Sequence, residues 1–171
     1  MKPTFYRLSD GWNAEPYVPR PVIDIQGRDL VLKFLVNAFQ FTEFAEGEFG
    51  ILRFAGCQRY RLGPVNDDGW YAGQCRFSRL VPEWGEFYVV QGDAALLEAP
   101  QDWHTIAPPS GIGRHFLFYF RDQTFECAAD ECHIEPSANN SLHRTGKKLR
   151  VPSAEELKPV IHLRKRLCRS Q

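Results

Sequence analysis

Short apolar runs separated by glycine, proline and asparagine follow one another along the first 130 residues of the chain. Val22–Ile25 and Leu30–Val36 flank Gly27 as the strands of a hairpin do, and the second run is apolar almost throughout, which predicts an interior strand. Other runs bounded by turn residues predict further strands. These are Phe49–Phe54, Gln58–Leu62, Trp70–Phe77, Glu86–Val90, Arg114–Phe120 and Thr124–Ala128.

Helical periodicity is absent from this region over any window of about eleven residues, although Ala94–Glu98 fits a single helical turn. The length of 171 residues favours one domain. Short strands at regular spacing therefore predict a mainly β protein: a single antiparallel sandwich or barrel-like domain with one short helix.

Charge divides the chain unevenly. Lys+Arg and Asp+Glu number 21 each, but residues 141–171 hold nine basic and two acidic side chains, a net charge of +7, which leaves −7 on residues 1–140. Every Phe, Trp and Tyr also lies before residue 141. We therefore predict a β-rich globular domain over 1–136, a linker at Ser137–Asn140 and a basic C-terminal extension over 137–171. This extension is expected to be partly disordered or to form one short helix capped by Ser153.

Several classes of protein are disfavoured. No run of 18 apolar residues is present, which argues against a membrane span, and the N-terminal residues lack the apolar region of a secretory signal, which predicts a cytoplasmic protein. The basic extension has no aromatic residues interleaved with its charges, which argues against nucleic acid as the partner.

The cysteines predict free thiols in a cytoplasmic chain. Cys127, Cys132 and His133 place soft metal ligands close together, and a zinc site completed by Cys57 and Cys75 is the alternative. Alternation in the predicted strand, however, puts Cys127 on the core face, and a second pair of closely spaced cysteines is missing. We therefore predict no metal and no cofactor.

The segment between the fourth and fifth predicted apolar runs is rich in Asn and Asp. Asn66, Asp67, Asp68 and Gly69 are strong turn formers, because Asn and Asp side chains bond to nearby backbone and glycine accepts a positive φ. An ion-binding loop is the alternative, although the spacing is not that of an EF-hand.

No nucleophile elbow, phosphate-binding loop or zinc-protease motif is present, so no catalytic residue is assigned. An alternative site combines two histidines with two carboxylates as acid–base partners. Aromatic residues near position 80 either fill the core or form a binding face. The candidate binding residues are Asn66, Asp67, Asp68, Trp70, Trp84, Glu86, Tyr88, His104, His115 and Asp122.

Several sequence strings carry a resemblance. They are Trp12–Pro16, Tyr60–Pro64 with Asn66–Gly69, Trp84–Tyr88 and His115–Cys127. Together they resemble a family of uncharacterised bacterial proteins that share a YRLGP-NDEGW loop and a late HF-F-F-D-TFEC hairpin. The similarity spans about residues 12–130, and Asp68 stands where that family usually has Glu. The family implies no particular activity.

Residues Asn139–Thr145 are similar to the C-terminal strings that arise when integron-cassette genes read into their recombination sites, which implies a mobile-cassette origin. We predict a non-enzymatic binding or accessory protein, immunity-like in role. Its partner is either a protein or a small ligand. A protein partner would be basic, because residues 1–140 carry a net charge of −7. The alternative is a small-molecule-binding or enzymatic β-sandwich with a site around His104, His115, Glu86 and Asp122. The oligomeric state is left open.

Overall fold

The computed structural model describes residues 2–92, 100–108 and 113–153. This part of the chain contains ten strands and two short helices. The strands are β1 Thr4–Arg7, β2 Val22–Gln26, β3 Asp29–Leu35, β4 Phe49–Ala55, β5 Arg59–Gly63, β6 Phe87–Gln91, β7 His104–Thr105, β8 Arg114–Tyr119, β9 Thr124–Ala129 and β10 Glu131–Ile134. The helices are α1 Asp67–Tyr71 and α2 Ser141–Arg144.

The strands form two antiparallel sheets. One has six strands in the order β1-β6-β8-β9-β5-β7, and the other has four in the order β10-β4-β3-β2. The predicted mainly β, antiparallel sandwich is therefore confirmed. The apolar run expected to be an interior strand is β3, which lies between β2 and β4.

Alternation along the strands builds the core between the sheets. In β3 and β4 every second residue is buried, with Phe34 and Phe54 fully so. The inner face of the six-stranded sheet contributes Phe87, Phe118 and Phe125, and the rings of Phe87 and Phe118 stack 4.2 Å apart. Each such ring removes a large apolar area from water, and this burial stabilises the fold by about 25 cal/mol per Å² of apolar surface.

The chain changes sheets at two corners that touch. β4 passes to β5 through Gly56, and β9 passes to β10 through Asp130, whose backbone N–H donates to the Ala55 carbonyl at 3.0 Å. Gly56 has a φ of +60°, and a Cβ at this position would lie 2.1 Å from an Asp130 carboxylate oxygen. Glycine is required at this corner for both reasons.

The outer face of the six-stranded sheet is covered by residues 67–84. The prediction of a strand over Trp70–Phe77 is wrong, because this segment begins in α1 and continues through turns. The Asn66 side chain caps α1 by accepting the Gly69 N–H at 2.9 Å. Trp70 and Phe77 then pack with Leu117 in a second apolar cluster on the sheet.

Residues 137–153, at the start of the predicted C-terminal extension, pack against the strands. Asn140 is fully buried; its side chain accepts the Ile51 N–H at 3.0 Å and donates to the Ile51 and Glu135 carbonyls at 2.8 and 2.7 Å. Leu142 is fully buried in the main core. One apolar residue and one well-bonded amide thus anchor a segment that has no aromatic side chains.

Three strands, β1, β7 and β10, were not predicted; they are four, two and four residues long. The helical turn predicted at Ala94–Glu98 and the helix predicted after Ser153 lie outside the described residues. Neither helix in the described part of the chain has the length or apolar character needed to cross a membrane.

Candidate functional site

A cleft of about 580 Å³ opens at one end of the sandwich. Its walls come from the end of β1, the loop between β1 and β2, the loop after β3, the residues just before β6 and the end of β8. The Asp67 N–H donates to the Arg121 carbonyl at 3.2 Å, which draws the start of α1 to the same place. Segments distant in sequence therefore share this cleft.

Charged, amide and aromatic side chains line the cleft, the mixture expected of a site that orients a polar ligand. The carboxylates are Glu15, Asp67, Glu83 and Glu86, and the guanidinium groups are Arg7 and Arg121. The amides are Asn13, Asn37 and Gln40, and the aromatic rings include Tyr17, Trp84 and Tyr119. The ionisable side chains give the lining a formal charge of −2.

Glu86 is the buried acid of the cleft, with 4% of its surface exposed. It precedes β6, and its carbonyl accepts the Tyr119 N–H at 3.3 Å, which fixes it between β1 and β8. Oε1 accepts from Arg7 Nη2 at 2.6 Å and from Asn13 Nδ2 at 3.1 Å, and Oε2 accepts from Ser9 Oγ at 2.6 Å. A buried carboxylate needs such partners, and here all three come from the N-terminal segment.

The amides continue this network across the floor. Asn37 Nδ2 donates to Asn13 Oδ1 at 2.9 Å, and the Asn37 N–H donates to the Asn13 carbonyl at 3.0 Å. Gln40 Oε1 accepts from both asparagines at 3.4–3.5 Å. Because Asn13 also bonds to Glu86, polar groups fix the β1–β2 loop and the loop after β3 to the six-stranded sheet.

Aromatic rings form the opposite wall. Trp84 lies 4.6 Å from Tyr119, centroid to centroid, and 5.9 Å from Trp70. Burial, with a smaller contribution from the charge of Glu126, raises the pKa of Tyr119 well above its ordinary value, so the phenol remains protonated at neutral pH. Arg121 lies 5.8 Å from the centre of the Tyr17 ring.

A second polar cluster is closed rather than open. Glu126 Oε2 lies 2.7 Å from His115 Nε2 and 2.6 Å from Arg76 Nη2, and Oε1 accepts from Arg61 Nη1 at 2.7 Å. Arg61 also binds Asp102 through two contacts of 2.9 Å. Burial alone would raise the pKa of Glu126, but the hydrogen bond with His115 and the neighbouring cationic groups outweigh it and lower that pKa.

The structure brings three of the predicted site residues together in the cleft: Asp67, Trp84 and Glu86. The others lie elsewhere. Asn66 and Asp68 are exposed at the start of α1, Trp70 is buried beneath it, and Tyr88 lies on the outer sheet face with its hydroxyl donating to the Glu83 carbonyl at 2.9 Å.

The alternative site of His104, His115, Glu86 and Asp122 is not assembled. His104 is exposed and stacks on Tyr60 at 5.2 Å, and Asp122 is exposed in the β8–β9 turn. His115 belongs to the closed cluster, and Glu86 belongs to the cleft. The two histidines therefore share no site with the buried acid.

Sequence reasoning missed Arg7, Asn13, Asn37 and Arg121 in the cleft, and Arg61, Arg76 and Glu126 in the closed cluster. The string Trp12–Pro16 was noticed for its resemblance, and it contains Asn13, which bonds to Glu86 in the cleft. The arginines gave no signal, because isolated arginines are most often exposed.

The cysteines within the described residues are all free. Cys57 and Cys127 are fully buried in the main core with Cys132, and burial raises the pKa of the Cys127 and Cys132 thiols. Over the described ranges, no group of three or more His, Cys, Asp and Glu side chains is placed to hold a metal ion. Cys168 lies outside these ranges.

The chain matches no protein-family model, no curated protein and no solved structure. The resemblance to the bacterial family and the mobile-cassette origin therefore stay predictions, and the cleft has to be interpreted from its own chemistry.

Proposed function

We propose that this protein is a non-enzymatic binding protein whose cleft takes a positively charged group of its ligand. The observation that carries the proposal is the excess of carboxylates over guanidinium groups in the lining, four against two.

The two arginines leave this excess available to a ligand. Arg7 is paired with Glu86 at 2.6 Å and lies 3.6 Å from Glu83, and Arg121 lies over Tyr17. The Glu83 side chain is 63% exposed, so its carboxylate remains accessible from the cleft. Aromatic faces beside it add attraction for a cation, worth about 0.5–1 kcal/mol at an exposed site.

Binding is favoured over catalysis by the way the buried acid is used. Three hydrogen bonds from Arg7, Ser9 and Asn13 occupy most of the acceptor sites of the Glu86 carboxylate and hold it in one orientation within the protein. None of the described residues that line the cleft is a histidine. A small-molecule enzyme built on His104 and His115 would need these side chains to move into the cleft.

The accessory role, immunity-like and of mobile-cassette origin, and the cytoplasmic location belong to the same proposal. What supports the accessory role and the cassette origin is the sequence, through the resemblance of Asn139–Thr145 to cassette strings.

An NMR titration tests the charge requirement with two compounds of nearly the same shape. N-acetylarginine amide carries a guanidinium group, and N-acetylcitrulline amide carries a neutral urea in its place. We expect the arginine compound to bind about fivefold more tightly, the equivalent of about 1 kcal/mol for an exposed ion pair. Glu83→Gln should lower its affinity by about the same factor and leave the citrulline affinity unchanged.

Glu131→Gln is the matched control, because Glu131 carries the same charge on an exposed side chain of β10, in the other sheet and outside the cleft lining. It should change neither affinity. Equal binding of the two compounds, or equal effects of the two variants, would show that the cleft does not select a cation.

A further inference from the structure

Three large apolar side chains stand exposed beside the cleft. Tyr17 is 61% exposed, Val18 is 53% exposed and Phe39 is 65% exposed, and the rings of Tyr17 and Phe39 meet edge to face at 6.0 Å. Tyr17 also lines the cleft itself. The apolar rim defined by these three residues is therefore continuous with the acidic site.

Polar groups of the cleft hold this rim in place. Glu15 Oε2 accepts the backbone N–H groups of Tyr17 and Val18, and Asn37 Oδ1 accepts those of Phe39 and Gln40 at 3.2 and 3.1 Å. Asn37 is itself buried and bonded to Asn13. The rim is thus part of an ordered site, and ordered aromatic side chains lose little conformational freedom on binding.

An exposed apolar patch next to a charged cleft fits a protein-binding site. Exposed apolar residues that cluster mark interaction surfaces, and aromatic side chains supply most of the affinity there. The acidic lining disfavours phosphate-rich partners such as nucleic acid or an anionic membrane, because both would be repelled. A free amine would fill the cleft without covering the rim.

We infer that the ligand is a basic segment of a partner protein. An Arg or Lys side chain of that segment enters the cleft, and apolar residues next to it in the partner's sequence pack on Tyr17, Val18 and Phe39. This inference rests on the proposed function and adds to it the class of partner. The rim supplies most of the affinity, and the carboxylates select a positively charged side chain.

Fluorescence anisotropy with three short labelled peptides tests the inference. The first has Arg between two Leu residues, the second has Ser in place of both Leu, and the third has citrulline in place of Arg. We expect the first to bind about tenfold more tightly than the Ser peptide and about fivefold more tightly than the citrulline peptide. Phe39→Ser should remove about tenfold of the affinity for the Leu peptide and leave that for the Ser peptide unchanged.

Tyr71→Ser is the control for loss of an exposed aromatic ring, since Tyr71 is 74% exposed on α1 and does not line the cleft. It should change no affinity. Equal binding of the Leu and Ser peptides, or equal losses from Phe39→Ser and Tyr71→Ser, would overturn the inference while the proposed cation site stands. Equal binding of the Arg and citrulline peptides would instead overturn the proposed function on which it rests.

Discussion

Glu86 and Glu126 are both buried carboxylates bonded to arginine, but their surroundings give them different roles. Glu86 borders an open cleft, and its partners Ser9 and Asn13 connect the N-terminal segment to the sheet. Glu126 is enclosed on the outer sheet face between Arg61 and Arg76. The first orients a binding site, and the second stabilises the fold.

Replacing the buried charge of Glu126 should change how stability depends on pH. Because its pKa is lowered in the folded protein, the unfolded chain takes up a proton first as the pH falls below the ordinary value of 4.5, and the stability that Glu126 contributes is lost there. We expect Glu126→Gln to cost about 3–5 kcal/mol at neutral pH, since it leaves Arg76 without its carboxylate partner and Arg61 with Asp102 alone. Urea unfolding between about pH 7 and pH 3 measures this difference, which should shrink at the acid end.

Asp122→Asn provides the comparison, because the Asp122 side chain is 73% exposed. Its effect should stay within about 0.5 kcal/mol across the same range. A constant gap between wild type and Glu126→Gln down to the acid end would contradict the assigned electrostatic role.

The candidate site was predictable only in part. Trp84 and Glu86 belong to a dense aromatic and acidic string, so they attract attention in the sequence. Arg7 and Arg121 reach the cleft because Arg7 pairs with Tyr88 across β1 and β6, and because Asp67 bonds to the Arg121 carbonyl. Such long-range contacts leave no local signal.

Among the elements, strands with clear apolar alternation were predicted well and the segment after residue 66 was not. Trp70 and Phe77 contribute aromatic side chains typical of a strand. The cap from Asn66 and a positive φ of 73° at Gly73 instead favour a helical turn followed by a reversal. Local backbone hydrogen bonding determines the conformation of this segment. Its aromatic rings still pack in the apolar cluster on the outer face of the six-stranded sheet.

Helix α2 shows how little sequence is needed to anchor a segment. Leu142→Ala should lower the free energy of unfolding by about 3 kcal/mol, because it leaves a cavity among residues that are fully buried. Urea unfolding followed by tryptophan fluorescence measures the loss. His143→Ala, at an exposed position in the same helix, should stay within about 0.5 kcal/mol of wild type. Equal effects of the two substitutions would show that Leu142 does not support the core.

On the scale of the whole molecule, the basic residues after position 140 meet the acidic body. Arg144 pairs with Glu48, and Lys147 pairs with Glu43. The opposite charges predicted from the sequence thus have a structural counterpart. These exposed pairs add little stability individually, and the buried residues of the same segment contribute more.

Ending the chain after Asn139 should therefore destabilise the protein as a whole. This truncation removes Asn140 and Leu142 from the core, together with the hydrogen bond from the Arg150 N–H to the Leu8 carbonyl at 2.9 Å. We expect loss of a cooperative thermal transition and binding of a dye that detects exposed apolar surface.

A chain that ends after Ser153 retains all of these contacts and is the matched control. It should unfold in one cooperative transition. An unchanged melting temperature in the shorter chain would show that α2 and the residues after it are dispensable.

Each sheet joins early and late parts of the chain: β1 pairs with β6, β4 pairs with β10, and Ser9 forms a bridge with Leu149. During synthesis on the ribosome, β4 is therefore made long before its partner β10 has emerged from the exit tunnel. The nascent chain exposes Phe34 and Phe54 throughout this interval and depends on chaperones or rapid translation to avoid aggregation. Folding of this protein is consequently completed after most of the chain has been translated.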